Sequence, residues 1–483
     1  MSNIKSLMFY INQLYRTSRY FAAILALSLP LSLSCGDDDG DSTTVYHDFC
    51  APNALTIVSD PGDPEKELLF VSNSTEGTVS IVDLTDNSPV DSDGNSSNGT
   101  NPISVSGITT DPDTKIIRDI AAAPDGSLLL VAWSSTNSGF LSKIDTSGIF
   151  TTGSVSSPTT IPLPGQPHSI AITSGTVLVT CTEPDSILSF VCSGTTYICE
   201  EKGNILLDNS PRNLINSEDD RFAYLTFFDS DEIATISMTG PLTLVAPLLS
   251  EGTVSGTPFD LAINPDTGEA YVTVVSPTSP QLAVVDISSP TQGQLLSTSY
   301  VLGGLPRRVA VTPIAINANG TTNRLVYVTN LNGAVQIIDD STATEPEFID
   351  SGEPSNPEIT PISTMDRATK TEDWTLTYLS GTNKYLAVGT SSGTQVAMAE
   401  EGVVYVSDSW EVCLIISPGT QVTTEGDKFI FSTNSGISAI SLEYLPGDIV
   451  ISPGGEKAYI ANTGSDSISI VDTKKSEVTG TLR

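Results

Sequence analysis

The sequence repeats a β-hairpin pattern seven times, and this repetition restricts the possible folds more than any other feature of the chain. In each copy a short apolar run ends in a polar turn and is followed by a second apolar run that closes on Asp or a polar substitute. The copies begin at Phe70, Leu130, Leu178, Tyr224, Tyr271, Tyr327 and Tyr459. One such hairpin has too little apolar surface to fold alone, so each unit must bury its face against the next.

A further apolar stretch precedes every hairpin, usually beginning with Pro and ending at a Gly or Asp turn. Examples are PFDLAINPDTG from Pro258 and PRRVAVTP from Pro306. Short β-branched runs between such turns are typical of buried strands. A looser Ser/Thr/Val segment follows each hairpin, which makes four strands per repeat. Four antiparallel strands at this spacing predict an all-β fold, a seven-bladed β-propeller of four-stranded antiparallel blades.

Several hairpins share a short motif. YVTN stands at 327–330, its variants YIAN and FVSN stand at 459–462 and 70–73, and each is followed by V-x-x-[IV]-D or a close variant. The motif, together with the Pro-led strand before it, resembles the repeat of the YVTN-type β-propeller family. The resemblance covers roughly residues 53–350 and 445–483. It implies the fold but not a function, because propellers carry many unrelated activities.

The spacing of the hairpins is interrupted once. Tyr459 lies 132 residues after Tyr327, whereas the earlier steps are 46 to 60 residues. We therefore predict propeller blades 1–6 over residues 52–354, a β-rich insertion over 355–444 between blades 6 and 7, and blade 7 over 445–483. The insertion is interpreted as a small β module. The alternative is eight blades, with VVYVSDSWEVCLIIS (403–417) as the central hairpin of a decayed blade.

The N-terminal region predicts export and lipidation. Residues 1–34 combine three basic residues with the apolar run YFAAILALSLPLSLS, which is typical of a signal peptide and too short to span a bilayer. Cys35 follows directly and resembles the cysteine of a bacterial lipobox, which implies lipidation at Cys35; an ordinary cleaved signal is the alternative. Residues 35–51 would form the lipidated Cys and an acidic tether. We predict an outer-membrane lipoprotein of the cell envelope, periplasmic or surface-exposed.

The charge of the chain limits its partners. The formal net charge is −36, and the mature part carries −39 because the three cations of the signal peptide are lost. A surface this acidic repels nucleic acid and anionic lipid headgroups. We therefore predict no nucleic-acid partner, contact with the membrane only through the lipid anchor, and a monomer.

The cysteines fit an oxidising compartment. Cys192 and Cys199 flank a short turn that could place them on opposite strands, so we predict a disulfide between them. Cys181 is predicted to be buried and free. Cys50 and Cys413 could join the start of the ring to the insertion or remain unpaired.

Aligning the first strands of the repeats places several cations at the mouth of the central channel. Arg118, His168, Arg212 and Arg307 occupy equivalent positions, and Arg308 lies one position further in. Four of the eight arginines of the mature chain fall here. They predict a mouth that binds an anionic group, with His168 as a pH-sensitive contact. The alternative is that each arginine only neutralises a channel carboxylate.

The same alignment places Asp119, Asp260 and Asp448 in the channel, where carboxylates could hold Ca²⁺ or Mg²⁺ as in propeller lactonases. Signatures of catalysis are otherwise missing from the sequence, so we assign no catalytic residues and expect no cofactor. The predicted function is a binding scaffold for a protein, peptide or glycan. The alternative is a lactonase-like hydrolase with a divalent metal in the channel.

Overall fold

A computed structural model describes residues 49–483, apart from 93–101, 106–114, 340–357, 362–371, 418–422 and shorter stretches. The predicted signal peptide, Cys35 and most of the tether lie outside the described residues. In the described part of the chain the regular structure is almost entirely strand. The only helix there is α1, the single turn Ile149–Thr152.

The first three blades are antiparallel sheets whose strands follow one another in chain order. Blade 1 contains β1 Pro52–Asp60, β2 Asp63–Asn73, β3 Thr78–Asp83 and β4 Ser88–Pro89, and β5 Ile103–Ser104 also pairs with β3. Blade 2 contains β6 Ile116–Ala122, β7 Leu128–Ser134, β8 Gly139–Asp145 and β9 Thr159–Leu163. Blade 3 contains β10 Gln166–Ile172, β11 Thr176–Thr182, β12 Ser186–Ser193 and β13 Ile198–Leu206.

Blades 4 and 5 follow the same order. Blade 4 contains β14 Pro211–Asn216, β15 Phe222–Phe227, β16 Ile233–Ser237 and β17 Thr243–Leu244. Blade 5 contains β18 Thr257–Asn264, β19 Glu269–Val275, β20 Gln281–Asp286 and β21 Gln294–Leu295, and β22 Tyr300–Val301 also pairs with β20. The predicted unit of four strands therefore recurs in each repeat.

Blade 6 begins in the same way and is then interrupted. Its first three strands are β23 Pro306–Val311, β26 Leu325–Asn330 and β27 Ala334–Asp339, with the hairpin β24 Ile316–Ala318 and β25 Thr321–Asn323 projecting between the first two. Two further sheets follow. One pairs β28 Glu358–Pro361, β33 Cys413–Ser417 and β32 Val404–Val406, and the other pairs β31 Gly393–Ala399, β30 Lys384–Gly389, β29 Glu372–Leu379 and β34 Lys428–Thr433.

The chain then returns to complete blade 6. Strand β35, Ile437–Ser441, pairs with β27 as the fourth strand of that blade. The insertion therefore leaves blade 6 after its third strand and ends before Ile437, which moves its end from the predicted residue 444. Blade 7 contains β36 Pro446–Ile451, β37 Lys457–Asn462, β38 Ser467–Asp472 and β39 Glu477–Leu482.

The inner strands form a closed ring of seven. Strands β1, β6, β10, β14, β18, β23 and β36 contact one another in this order, and β36 contacts β1. Blade 7 supplies all four of its own strands, so side chains join it to blade 1. Asp448 accepts a hydrogen bond from the backbone N–H of Leu55 at 2.8 Å, and Thr463 donates one to the carbonyl of Pro52 at 2.7 Å.

The hydrophobic core is divided into one cluster for each junction between neighbouring blades. The junction of blades 7 and 1, for example, packs Leu69 and Val71 against Tyr459 and Ile468. Six similar clusters lie at the other junctions. This arrangement explains why a single repeat cannot fold alone, because each hairpin buries its apolar face only against the next blade.

The two sheets of the insertion have a core of their own. Trp374 is fully buried and packs with Phe431, Tyr405 and Leu414, which come from both sheets. No inner strand of the ring belongs to this cluster. The interpretation as a separate β module is therefore preferred to an eighth blade, and the predicted hairpin 403–417 forms an edge of the module.

The disulfide between Cys192 and Cys199 is present and joins directly opposed positions of β12 and β13. Cys181 is buried and free, as predicted. Cys50 is disulfide-bonded as well. The side chain of Cys413 lies outside the described residues, so a bond between Cys50 and Cys413 stays a prediction.

The threonine of the YVTN motif joins neighbouring blades. Thr329 is fully buried, and its hydroxyl accepts a hydrogen bond from the N–H of Arg308 at 3.1 Å and donates one to the carbonyl of Gly447 in the next blade at 2.9 Å. Thr226 and Thr273 make the same pair of contacts in blades 4 and 5. Each hydroxyl thus satisfies two backbone groups that water cannot reach.

Replacing Thr329 by the nearly isosteric valine is expected to cost about 2 kcal/mol of unfolding free energy. The substitution leaves a buried N–H and a buried carbonyl without their partner, and each such group costs about 1–3 kcal/mol. Denaturant unfolding of the purified protein measures the change. Thr253→Val is the control. Because Thr253 is exposed, this substitution should change the free energy of unfolding by no more than about 0.5 kcal/mol. An equal effect of the two substitutions would contradict this role of Thr329.

Candidate functional site

The inner strand of every blade contains a β-bulge near its start. The pairing with the second strand shifts register between Pro52 and Leu55, Ile117 and Asp119, Pro167 and Ser169, Pro211 and Leu214, Pro258 and Asp260, Pro306 and Val309, and Pro446 and Ile449. A bulge places two residues of one strand opposite a single partner and re-aims their side chains. Consecutive residues such as Arg307 and Arg308 can therefore both take part in the channel.

A ring of polar side chains crosses the channel at this level, and we call it the inner ring. Its members are Asp119, Asn213, Asp260, Arg308 and Asp448. Each aspartate accepts a hydrogen bond from a backbone N–H of the next blade, at 2.7 Å from Ile170 to Asp119, 2.9 Å from Val309 to Asp260 and 2.8 Å from Leu55 to Asp448. The three carboxylates therefore help to hold neighbouring inner strands together.

Arg308 provides the positive charge of the inner ring. Its Nη1 donates a hydrogen bond to Asn213 Oδ1 at 2.8 Å and lies 3.7 Å from Asp260 Oδ1, while its Nε lies 3.8 Å from Asp448 Oδ1. Asn213 in turn donates to Asp260. The exposed fractions of these side chains are 21% for Arg308, 7% for Asp260 and 17% for Asp448.

One guanidinium faces three carboxylates, and the pKa values reflect the imbalance. Burial raises the pKa of Asp119 to about 7, although the charge of Arg308 opposes the shift. Burial also raises the pKa of Asp260 and of Asp448, again against the effect of Arg308. Burial acts to lower the pKa of Arg308, but the carboxylates of Asp260, Asp448 and Asp119 together raise it above its ordinary value.

The residues predicted as the alternative metal site lie around this guanidinium. Asp119, Asp260 and Asp448 use carboxylate oxygens to accept backbone N–H groups, and Arg308 is the cation between them. Within the described part of the chain, no three His, Cys, Asp or Glu side chains are grouped closely enough to hold a metal ion. A divalent ion at this level would have to compete with a tethered positive charge.

Three other arginines, Arg118, Arg212 and Arg307, precede the inner ring by one position in their strands, and we call them the entrance arginines. None of them forms an ion pair or donates a side-chain hydrogen bond among the residues that the structure describes, and the Nε atoms of Arg118 and Arg307 are buried without an acceptor. Such groups normally occur paired, because an uncompensated buried charge is costly.

The entrance arginines also repel one another and their neighbour. Burial lowers the pKa of Arg307 to about 10, and the charge of Arg308 adds to the shift. Burial lowers the pKa of Arg212 well below its usual value, with further contributions from Arg307 and Arg308. Burial alone lowers the pKa of Arg118. Asp260 acts in the opposite direction on Arg212, and Asp448 does so on Arg307, so the positive charge of the cluster is only partly compensated.

Arg212 is held against two aromatic rings. Its Cζ lies 3.3 Å from the ring centroid of Phe259 and 4.5 Å from that of Phe228. Arg307 also lies near Phe259, with its Cζ 5.9 Å from the centroid. Stacking on an aromatic face partly compensates for the hydration that a guanidinium loses on burial. The N–H groups at the edge of the guanidinium stay available to donate hydrogen bonds.

His168 lies among the entrance arginines, where the sequence predicts a pH-sensitive contact. Its Nε2 is 3.1 Å from the hydroxyl of Thr182, and its ring meets Phe228 edge-on at 4.9 Å. Burial lowers the pKa of His168 to about 3, and the charges of Arg118 and Arg212 add to the shift. These surroundings favour the neutral ring, so the role of His168 as a pH-sensitive contact stays a prediction.

The structure thus separates residues that the sequence grouped together. Arg308 forms ion pairs with Asp260 and Asp448, as in the alternative of charge neutralisation, whereas the entrance arginines form none among the described residues. Phe228, the residue after strand β15, was not predicted as part of the site. In the sequence it directly follows the four residues of blade 4 that correspond to YVTN, but only its contact with Arg212 shows its role.

The comparisons with known proteins support the fold alone. No protein-family model matches the chain, and no curated protein matches it by sequence. Among solved structures, hydrazine synthase from Kuenenia stuttgartiensis aligns with 90% of this chain and 99% of its own at a TM-score of 0.53 and 15% identity. A putative 6-phosphogluconolactonase from Bacteroides uniformis aligns with 60% of this chain and 82% of its own at a TM-score of 0.44 and 18% identity.

The Dos1 propeller aligns with 87% of this chain and 91% of its own at a TM-score of 0.44 and 10% identity. Likeness at these identities is limited to the β-propeller architecture and carries no activity across. The resemblance to the YVTN-type family stays a prediction from the repeat motifs. In the part of the chain that the structure describes, no helix is long and apolar enough to cross a membrane.

Proposed function

We propose that this protein is a non-enzymatic binding propeller of the bacterial cell envelope, whose entrance arginines bind an acidic group of a protein, peptide or glycan ligand. The observation that supports this most strongly is that Arg118, Arg212 and Arg307 form no ion pair among the described residues, while the Nε atoms of Arg118 and Arg307 are buried without an acceptor. Arginine presents a planar fork of N–H donors that fits a carboxylate, sulfate or phosphate in two-point contact.

The energetics of the entrance favour an anion. Repulsion among partly buried cations costs free energy in the unliganded protein, and a bound anion would remove that cost while filling the open donor positions. The acidic remainder of the surface excludes polyanions such as nucleic acid. We therefore expect the entrance arginines to bind a single acidic group at the end, or on a narrow part, of the ligand.

The alternative of a lactonase-like hydrolase requires a divalent metal on Asp119, Asp260 and Asp448. The position of Arg308 between these carboxylates argues against it. Metal analysis of the purified protein separates the two proposals. A stoichiometric divalent ion that is lost on Asp448→Asn substitution would favour the hydrolase.

The arginine proposal predicts opposite effects of one substitution on stability and on anion response. In a chloride buffer Arg307→Gln should be at least as stable as the parent, because the substitution removes a repelled charge. At constant ionic strength, sulfate or acetate should raise the unfolding temperature of the parent but not of Arg307→Gln. An anion at 100 times its Kd contributes about 2.7 kcal/mol of stability.

Arg221→Gln is the matched control for this experiment. Arg221 is 64% exposed and pairs with Asp219 on the surface, so its loss changes the net charge equally and should leave the anion response intact. If the parent shows no anion-dependent shift, or if Arg307→Gln keeps it, the entrance arginines do not form an anion site.

We further propose that lipidation of Cys35 holds the propeller at the outer membrane and that the acidic segment after it acts as a spacer. Cys35→Ser in the full-length chain should move the protein from the membrane fraction to the soluble fraction of bacteria. The amount of folded propeller should not change, because Cys35 precedes the ring. Retention of the Cys35→Ser protein in the membrane fraction would rule out this anchor.

A further inference from the structure

The channel contains a cavity on the opposite side of the inner ring from the entrance arginines. Its volume is about 600 Å³, and it lies where the inner strands end. The floor of the cavity is formed by Asn213, Asp260, Arg308 and Asp448. Its walls are apolar and include Ile57, Ile215, Ile263, Val311, Ile449 and Ile451. Pockets that bind small organic molecules typically have volumes of about 300–1,000 Å³.

Two carboxylates and one guanidinium line the floor. Asp260 and Asp448 are both within reach of the cavity, and Arg308 is the only cation among its lining residues. Arg308 stands 3.7 Å and 3.8 Å from the two carboxylates, which is longer than a hydrogen bond, and it gives its described hydrogen bond to Asn213. The charges of Arg307 and Arg212 act on Asp448 and Asp260 from further away.

The carboxylate at the cavity floor is accessible. The side chain of Asp448 is 17% exposed, whereas that of Asp260 is 7% exposed. A donor entering from the cavity would therefore meet Asp448 first. An ammonium or amidinium group at this point would balance the surplus charge, because a buried carboxylate is stabilised by an opposite charge within about 4–6 Å.

We propose that this cavity binds a small organic cation, with an ammonium or amidinium head on the carboxylates of Asp448 and Asp260 and an apolar body against the isoleucine and valine walls. The walls provide favourable burial for the body at about 25 cal/mol per Å² of apolar surface. A carboxylate-headed ligand of the same shape is disfavoured, because it would meet two aspartates and only one guanidinium. The site is separate from the entrance arginines, so the protein would have two ligand sites of opposite charge along one axis.

The test compares three probes that share an eight-carbon chain and differ in the head: octylammonium chloride, sodium octanoate and 1-octanol. Isothermal titration of the folded protein below the micelle-forming concentrations should show one octylammonium site. Octanol and octanoate should bind at least tenfold more weakly. Equal binding of octanoate and octylammonium would overturn the role of the carboxylates.

Two variants locate the site. Asp448→Asn should weaken octylammonium binding at least tenfold, whereas Glu477→Gln, which removes one charge at a 58% exposed position on the outer rim, should leave it unchanged. If both weaken binding equally, the amine is held only by the overall acidic surface. Because Asp448→Asn could also disturb the contact with Leu55, Ile215→Trp is the second variant, and it should block the cavity by filling it.

The cavity and the entrance can be tested separately. Arg307→Gln should not weaken octylammonium binding, because the positive charge of Arg307 acts on Asp448 and repels a cation bound there. Asp448→Asn and Ile215→Trp should retain the sulfate-dependent rise in unfolding temperature. If the parent protein shows no anion response but still binds octylammonium, only the proposal for the entrance arginines is contradicted. Unchanged amine binding in Ile215→Trp would overturn the cavity proposal.

Discussion

Replacement of Arg308 by alanine is expected to destabilise the propeller by about 3–5 kcal/mol at neutral pH. The substitution removes the cation that lies closest to the carboxylates of the inner ring and leaves Asp260 and Asp448 with only the more distant charges of Arg212 and Arg307. Removing one partner of a buried charge pair typically has an effect of this size. Because the three carboxylates join three different pairs of blades, the loss should appear as a single cooperative shift of the whole ring.

The stability lost in Arg308→Ala should increase with pH. Without Arg308 the pKa values of the three carboxyls rise further above those of the unfolded chain, so the folded state binds more protons than the unfolded state between the two values. Stability of the variant should therefore fall as pH rises from about 4 through neutral. Near pH 4 the carboxyls are protonated in the folded protein, and the difference from the parent should be smallest.

Arg221→Ala is the control for this experiment. Arg221 pairs with Asp219 on the surface, where the two side chains are 64% and 46% exposed, and exposed pairs contribute only about 0–1 kcal/mol. A second variant, Arg308→Met with Asp260→Asn and Asp448→Asn, should recover part of the lost stability. If Arg308→Ala and Arg221→Ala have equal effects at pH 7, the inner ring is not held by charge balance.

Trp374→Ala is expected to have the second large effect, about 3–5 kcal/mol, and it should be confined to the insertion. Trp374 is fully buried and packs against Phe431 with ring centroids 6.4 Å apart, so truncation leaves a large cavity in the core of the module. The cluster around Trp374 shares no residue with the seven clusters between blades. Thermal unfolding should therefore show an early transition of the insertion, followed by the ring.

The anion response of the entrance arginines should survive in Trp374→Ala below the second transition. Val396→Ala provides the control, because Val396 is 89% exposed on strand β31 of the same module, and its substitution should change stability by less than about 0.5 kcal/mol. A single merged transition at lower temperature would show that the insertion and the ring unfold as one unit.

The positions that repeat and the positions that vary have different tasks in this fold. The repeated tyrosine and threonine of the hairpins, such as Tyr327 and Thr329, are fully buried and satisfy backbone groups or fill the space between blades. The channel positions differ from blade to blade, from Arg118 to Phe259 to Gly447. Specific binding must come from these varying positions, because identical positions can only build the ring.

The end of the insertion could not be derived from sequence spacing. The segment ISAIS at Ile437–Ser441 is short and has no motif that assigns it to the insertion or to blade 6. Its place was decided by pairing with β27, a strand about a hundred residues earlier in the chain. Long-range pairing of this kind depends on which edge remains open once the other strands have formed, and that information is not local.

The sequence alone determined the elements of this protein: seven hairpins with alternating apolar residues, tight turns, a Pro-led strand before each, and a disulfide between Cys192 and Cys199. These features follow from local rules of turn geometry and from the need of each repeat to bury one face. The tertiary structure decided which charges meet. Arg307 and Arg308 are adjacent in sequence, yet only Arg308 lies between carboxylates from other blades, because closure of the ring brings distant residues together around a common axis.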